Sequence, residues 1–166
     1  MIGRYDIESR SSSMNYLIDE SLYRGPTSLY STSYNYYDFS VDENGLWLIY
    51  AYKPTSIKPA IEDMLVIVKL EPNQLDFEKT WNITVGRRNY CNGFISQGIF
   101  YLLESCTDEQ TSISYAYNLY QNEELTVDIP FKNVFKSNRM LSYDYLGRRI
   151  LAWDYGRVIS YPVATR

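Results

Sequence analysis

Histidine is absent from all 166 residues. That absence removes the Ser/His/Asp triad, the Cys/His dyad, the His-ligated zinc site and the imidazole proton shuttle. Positive charge is not in excess either: 16 Lys plus Arg face 20 Asp plus Glu, a net charge of −4. Without a basic cluster there is no footprint for nucleic-acid phosphates or acidic lipid, so nucleic acid is not an expected partner. Long apolar runs are missing; the longest, at 46–51 and 64–68, fall far below the roughly 20 residues a bilayer-spanning helix needs. The N-terminal residues alternate like a strand and show no apolar signal-peptide core. No glycine-rich loop of the phosphate-cradling type occurs.

What is abundant is aromatic: 3 Trp, 18 Tyr and 6 Phe, within a hydrophobic fraction of 45%. A chain of this length buries roughly 70% of its unfolded surface, and this composition can supply that core. Aromatic and β-branched residues suit a pleated, half-buried surface, and no window shows sustained helical spacing. The expected class is therefore all-β. Strands are expected at 2–7, 37–41, 46–52, 64–70, 77–85, 93–95, 99–104, 113–118, 124–129, 140–143, 149–154 and 158–161. Tight hairpin connections are read at Asp42-Glu43-Asn44-Gly45, Ser96-Gln97-Gly98 and Asp154-Tyr155-Gly156. Looser loops are marked by Arg24-Gly25-Pro26 and Lys53-Pro54.

A weak internal repeat links these hairpins. Val-Asp-Glu-Asn-Gly-Leu-Trp-Leu-Ile-Tyr at 41–50 resembles Phe-Ile-Ser-Gln-Gly-Ile-Phe-Tyr-Leu-Leu at 94–103, and a third copy spans 143–153. The turn glycines Gly45, Gly98 and Gly147 stand 53 and 49 residues apart. A period of about 50 residues with several strands per unit is what radial blades produce.

The same segments carry a family resemblance. Asp-Phe-Ser-Val-Asp-Glu-Asn-Gly-Leu-Trp-Leu-Ile-Tyr at 38–50, Val-Ile-Val-Lys-Leu-Glu-Pro at 66–72 and Lys-Thr-Trp-Asn at 79–82 resemble the olfactomedin domain of extracellular proteins. Asn-Gly-Phe at 92–94, Gly-Ile-Phe-Tyr at 98–101, Tyr-Ala-Tyr at 115–117, Asp-Ile-Pro-Phe-Lys-Asn at 128–133 and Leu-Ala-Trp-Asp at 151–154 follow in family order. The resemblance implies a five-bladed β-propeller. Its first strand here matches the family's middle, so residues 1–166 are expected to form one partial domain representing about three blades.

A calcium ion in the central channel is also implied by the resemblance, held by carboxylate, amide and main-chain oxygens, as suits a hard cation. The matching positions are Asp38 for the carboxylate, Asn92 for the amide, and Gly93 and Leu141 for carbonyls. Leu141 is followed by Ser142 where the family has Asp, so one anionic ligand is lost. Tyr36 replaces a further acidic position and Thr32-Ser33 a Gly-Gly, which leaves Asp144 as the residue that could compensate. The expectation is a weakened or vestigial calcium site.

Cys91 and Cys106 flank the hairpin at 93–104, so they either bridge neighbouring strands or remain two buried thiols. The family's own cysteine position falls on Gln97. Asn82-Ile83-Thr84 is the only N-glycosylation sequon, and it matters if the protein is secreted.

Propellers also host glycosidases, for which Asp38, Asp42, Glu43 and Glu104 are the carboxylate candidates. Asp42 and Glu43 are already explained by their turn. Tyr30, Tyr34, Tyr36 and Tyr37 could stack a sugar or peptide, although core packing is the more ordinary account. The resemblance favours a non-enzymatic extracellular interaction module, engaging a cell-surface receptor or matrix protein. A carbohydrate-binding or glycosidase-like propeller is the alternative.

Overall fold

Valine, isoleucine, leucine and aromatic residues in unbroken runs are what a strand needs when both of its faces are covered. Leu46 to Ala51 and the run that begins at Met64 meet that condition. In the computed structural model, which describes residues 2–16, 28–31, 35–52 and 63–163, with backbone only at 13–16, both runs are interior strands. The protein is all-β. Its elements are β1 (Ile2–Asp6), β2 (Ser11–Tyr16), β3 (Tyr37–Asp42), β4 (Gly45–Ala51), β5 (Met64–Leu70), β6 (Phe77–Thr84) and β7 (Asn92–Ser96). They continue as β8 (Ile99–Leu103), β9 (Gln110–Asn118), β10 (Glu123–Leu125), β11 (Ile129–Lys132), β12 (Asn138–Asp144), β13 (Arg149–Asp154) and β14 (Arg157–Pro162). A single 3₁₀ turn, Arg87–Asn89, is the only helical element among the described residues.

All strand pairs are antiparallel. Sheets form in the orders β1-β2, β3-β4-β5-β6, β10-β9-β8-β7 with β11 also on β9, and β12-β13-β14. Consecutive sheets pack face to face. Trp47, Ile49, Leu65, Ile67 and Trp81 of the β3–β6 sheet meet Ile95, Phe100, Leu102 and Tyr115 of the next. On that sheet's other face, Phe94, Leu103, Ile113 and Phe131 meet Leu141, Tyr143 and Ala152. Ile2 packs with Leu48, Tyr50, Val66 and Val68 on the outer side of the β3–β6 sheet. The first strands of the three larger sheets, β3, β7 and β12, also pack against one another. Sheets stacked in chain order with their first strands converging are the arrangement of propeller blades.

Of the turns in the expected repeat, those at 43–44 and 97–98 have two residues, whereas the one at Gly147 has four, 145–148. Gln97 and Gly98 take φ values of 54° and 74°, and Tyr155 and Gly156, in the hairpin after the third copy, take 51° and 76°, the left-handed pair that matches strand twist. Gly98 has a second constraint: a Cβ there would lie 2.5 Å from the Tyr120 ring.

The turn after β3 is a junction between sheets. Asp42, 3% exposed, accepts hydrogen bonds from Asn44 N (2.8 Å), Trp47 Nε1 (2.7 Å) and Gly98 N of the neighbouring hairpin (2.7 Å). Two residues earlier, Ser40 Oγ accepts from Ile95 N at 2.9 Å. Glu43 accepts from the Tyr143 hydroxyl of β12 at 2.8 Å. Asp154 does similar work for β13, taking Phe135 N at 2.6 Å and Ser137 N at 2.8 Å. The two cysteines are bonded, Cys91 to Cys106, with Cα atoms 5.7 Å apart.

Several sequence-based boundaries are corrected. The segment 124–129 is not one strand: β10 pairs with residues 116–118 of β9 and β11 with residues 110–113, and 126–128 crosses between them. Pro130 sits within β11, which among the described residues pairs only with β9, so its missing N–H leaves no ladder bond to a described strand unmade on the far side. β2 was not expected, because Ser-Ser-Ser carries no apolar alternation; it forms by pairing with β1. β9 and β12 begin earlier than expected, at Gln110 and Asn138. The loops at 24–26 and 53–54 lie outside the described residues.

Replacing Asp42 with Ala leaves a buried indole N–H and a buried turn amide without their acceptor, so unfolding stability falls by about 3 kcal/mol. Thermal unfolding then shows a midpoint roughly 6–12 °C lower for a chain of this size. Glu78→Ala, which removes an exposed partner of Lys69, changes stability by less than about 0.5 kcal/mol. Replacing both cysteines by Ala lowers stability by about 3 kcal/mol, the chain-entropy value for a 15-residue loop, as denaturant titration measures.

Candidate functional site: the channel strands

The convergence of β3, β7 and β12 brings the expected channel residues together. Asp38 lies on β3, Asn92 and Gly93 open β7, and Leu141 and Ser142 lie within β12. Asn92 and Leu141 are buried, at 6% and 3% exposure, while Asp38 and Ser142 are partly buried.

Asp38 is tied to a residue that sequence reasoning had placed elsewhere. The Tyr30 hydroxyl donates to Asp38 Oδ2 at 3.0 Å, and Tyr30 is 1% exposed. The same hydroxyl lies over Gly93, where an added Cβ would stand 2.9 Å from it. Glycine is thus required at 93 for closeness, not for a special backbone angle. Tyr30 is held in turn by its short segment: Ser31 N donates to Tyr90 O at 2.8 Å, and the buried Arg87 guanidinium donates to the carbonyls of Ser28 and, at 3.2 Å, Leu29.

Burial pushes the Asp38 carboxyl up to about 7, although the bonds from Tyr30 and the Phe39 amide pull the other way. Tyr30 is held well above the usual phenol range by its own burial, then by the Asp38 charge beside it, so it remains a donor. Asn92 uses its side-chain oxygen on its neighbour, accepting from Gly93 N at 2.9 Å.

The donors present do not fit a tight calcium site. Asp38 is the single carboxylate of the set, it already takes the Tyr30 hydroxyl, and Asn92 Oδ1 is engaged. Asp144, the residue that could have compensated, accepts from Gly147 N at 3.0 Å and Arg149 Nε at 2.8 Å and so serves its own turn. No cluster of three or more His, Cys, Asp or Glu that could hold a metal exists among the described residues. Two of the other carboxylate candidates, Asp42 and Glu43, are committed to the inter-sheet junction described above, and the third, Glu104, is exposed.

Of the four tyrosines considered as a stacking platform, Tyr30 is buried against the channel, and Tyr37 packs on Tyr50 with ring centroids 6.4 Å apart. Tyr36 is partly buried. Tyr34, with Thr32 and Ser33, lies outside the described residues. The link between Tyr30 and Asp38 had no sequence signal beyond proximity, because the residues between them carry no periodic pattern.

An all-β chain of ~50-residue repeats, with stacked sheets and converging first strands, defines a propeller-type repeat protein. The olfactomedin-like domain model matches residues 1–166, and the chain belongs to that family. It is 30% identical to myocilin of Rattus norvegicus and 31% identical to myocilin of Homo sapiens, each over 160 residues. Myocilin of Bos taurus is 29% identical over the same length. Each alignment covers 96% of this chain and 31% of the relative, so the chain spans about a third of the length of these relatives.

Because the folded pKa of Asp38 is raised, the folded state holds its proton to higher pH than the unfolded chain. Its contribution to stability is fully present below the model-peptide value of 3.8 and is lost as pH rises through about 7. The shifted carboxylates Asp6, Glu71, Glu109 and Asp144 are all lowered, which confines their titration to more acid conditions. Between pH 5 and 7.5, denaturant unfolding in chelator therefore shows stability declining with pH. Asp38→Asn flattens that decline, and Tyr30→Phe carries it to higher pH.

Proposed function

We propose that this olfactomedin-like domain is a non-enzymatic extracellular interaction module that engages a cell-surface receptor or matrix protein. The observation that carries the reading is the family match along residues 1–166. The bonded pair Cys91–Cys106 supports an oxidising, extracellular setting, where such bonds persist. No helix among the described residues is long and apolar enough to cross a membrane. The carbohydrate-active alternative loses its strongest carboxylates, since Asp42 and Glu43 are spent on structural hydrogen bonds and Asp38 on Tyr30.

In this reading the channel has lost tight calcium binding. One carboxylate places its affinity at about 10⁻³ M or weaker, the low end for extracellular modules. Calcium at 1 mM then adds only about 0.4 kcal/mol of native-state stabilisation. Thermal unfolding with and without 1 mM calcium shows midpoints within about 2 °C of each other. A larger upward shift, abolished by Asp38→Asn, overturns this part of the proposal.

The module reading is tested by applying the labelled, folded chain to intact cells and to deposited matrix. Binding saturates, is competed by unlabelled chain, and is lost after heat unfolding. Absence of saturable binding, or turnover of oligosaccharide substrates by the chain, sinks it.

A further inference from the structure

β6 is the outermost strand of the β3–β6 sheet: it pairs with β5, and among the described residues no strand pairs with its other edge. Eight residues long, it presents a row of backbone donors and acceptors of the kind that templates pairing with another chain. Its side chains alternate sharply in the second half. Trp81 and Ile83 are 4% and 3% exposed and enter the core between sheets, whereas Asn82 and Thr84 are exposed. With a period of two, Asn82 and Thr84 stand on the same outward face, opposite Val66 and Met64 of β5. No hydrogen bond among the described residues holds the Asn82 amide.

These two residues are the acceptor and hydroxyl of the chain's single N-glycosylation sequon, Asn82-Ile83-Thr84. We infer that Asn82 is an N-glycosylation site, and that its glycan caps the free edge of β6. The donor is a lipid-pyrophosphate-linked oligosaccharide. A bond forms between Asn82 Nδ2 and the anomeric carbon of the reducing-end sugar, the bond from that carbon to the pyrophosphate oxygen breaks, and the proton leaving Nδ2 balances the departing lipid pyrophosphate. The bulky, hydrated product fits at this position because the outward face of β6 already carries only exposed polar side chains, Glu78, Thr80, Asn82 and Thr84, while Lys79 lies on the other face over the Trp81 ring at 4.7 Å. A glycan rooted two residues from the strand's end sweeps the space a second edge strand would occupy, a stronger block than the two charges alone.

The inference rests on passage through the secretory pathway, as the proposed extracellular role requires. The test separates the two by giving the chain a cleavable leader that forces entry into the lumen of eukaryotic cells. The intact mass of the recovered protein is measured before and after amidase release of N-glycans. The expected result is one oligosaccharide per chain, released with conversion of Asn82 to Asp, and absent from both Asn82→Gln and Thr84→Ala. An unmodified chain recovered from the lumen overturns the inference whatever the native location. Absence of saturable binding in the cell and matrix assay counts against the extracellular reading and not against the site. The capping role is read by light scattering over a concentration series: Asn82→Gln and Thr84→Ala self-associate at lower concentration than the glycosylated chain. Equal association at unchanged thermal midpoint overturns it.

Discussion

A carboxylate taken out of water must find donors for its lone pairs, and the fold is arranged around one that does. Asp42 gathers an indole, its own turn and the backbone amide of the next hairpin. Each of those donors would itself be buried without an acceptor, so the penalty for misplacing either side is mutual. Its neighbour Glu43 reaches to the third sheet through Tyr143, and Ser40 pairs with Ile95. A single turn therefore supplies directional bonds among three sheets whose remaining contact is largely non-directional apolar packing, joined by the Trp81 indole on Leu119 O and the Tyr161 hydroxyl on Lys132 O. Asp154 repeats the device within its own sheet, where it fixes the loop that leads into β12.

Much of this was legible because its causes are local. Asn-Gly, Gln-Gly and Tyr-Gly turns between apolar runs announce hairpins, and the spacing of Gly45, Gly98 and Gly147 announces a repeat. The reading of Asp42 and Glu43 as turn residues was correct as far as it went. What sequence could not supply is where a turn carboxylate spends its second oxygen, since Gly98 lies 56 positions away. The same limit hid Tyr30. Its ring was grouped with nearby tyrosines by proximity in sequence, whereas burial by Leu29, Trp47 and the second sheet decides its role. Strand β2 was missed because its serines acquire strand geometry from a partner rather than from propensity.

The channel positions show how far a family pattern can be followed residue by residue. Asp38, Asn92, Gly93, Leu141 and Ser142 were identified from the resemblance, and the three strands do converge. Asp38 and Asn92 then find partners within the protein: the Tyr30 phenol for the carboxylate, the Gly93 backbone amide for the carboxamide. An oxygen cage built for a dication needs oxygens pointed at an empty centre, and here two of them point at protein. The pattern of positions is that of the family while the hydrogen-bonding is this chain's own.

The disulfide has a consequence of a different kind. Cys91 immediately precedes Asn92 and Gly93, so the covalent loop that ends at Cys106 begins at the lip of the channel. Opening that bond would release Cys91, the residue that leads into β7, from its covalent partner, one residue before Asn92 and two before the glycine against which the Tyr30 hydroxyl rests. The thiol–disulfide balance of the surroundings is thereby coupled to the order of an inner strand, through two cysteines that are themselves buried between sheets.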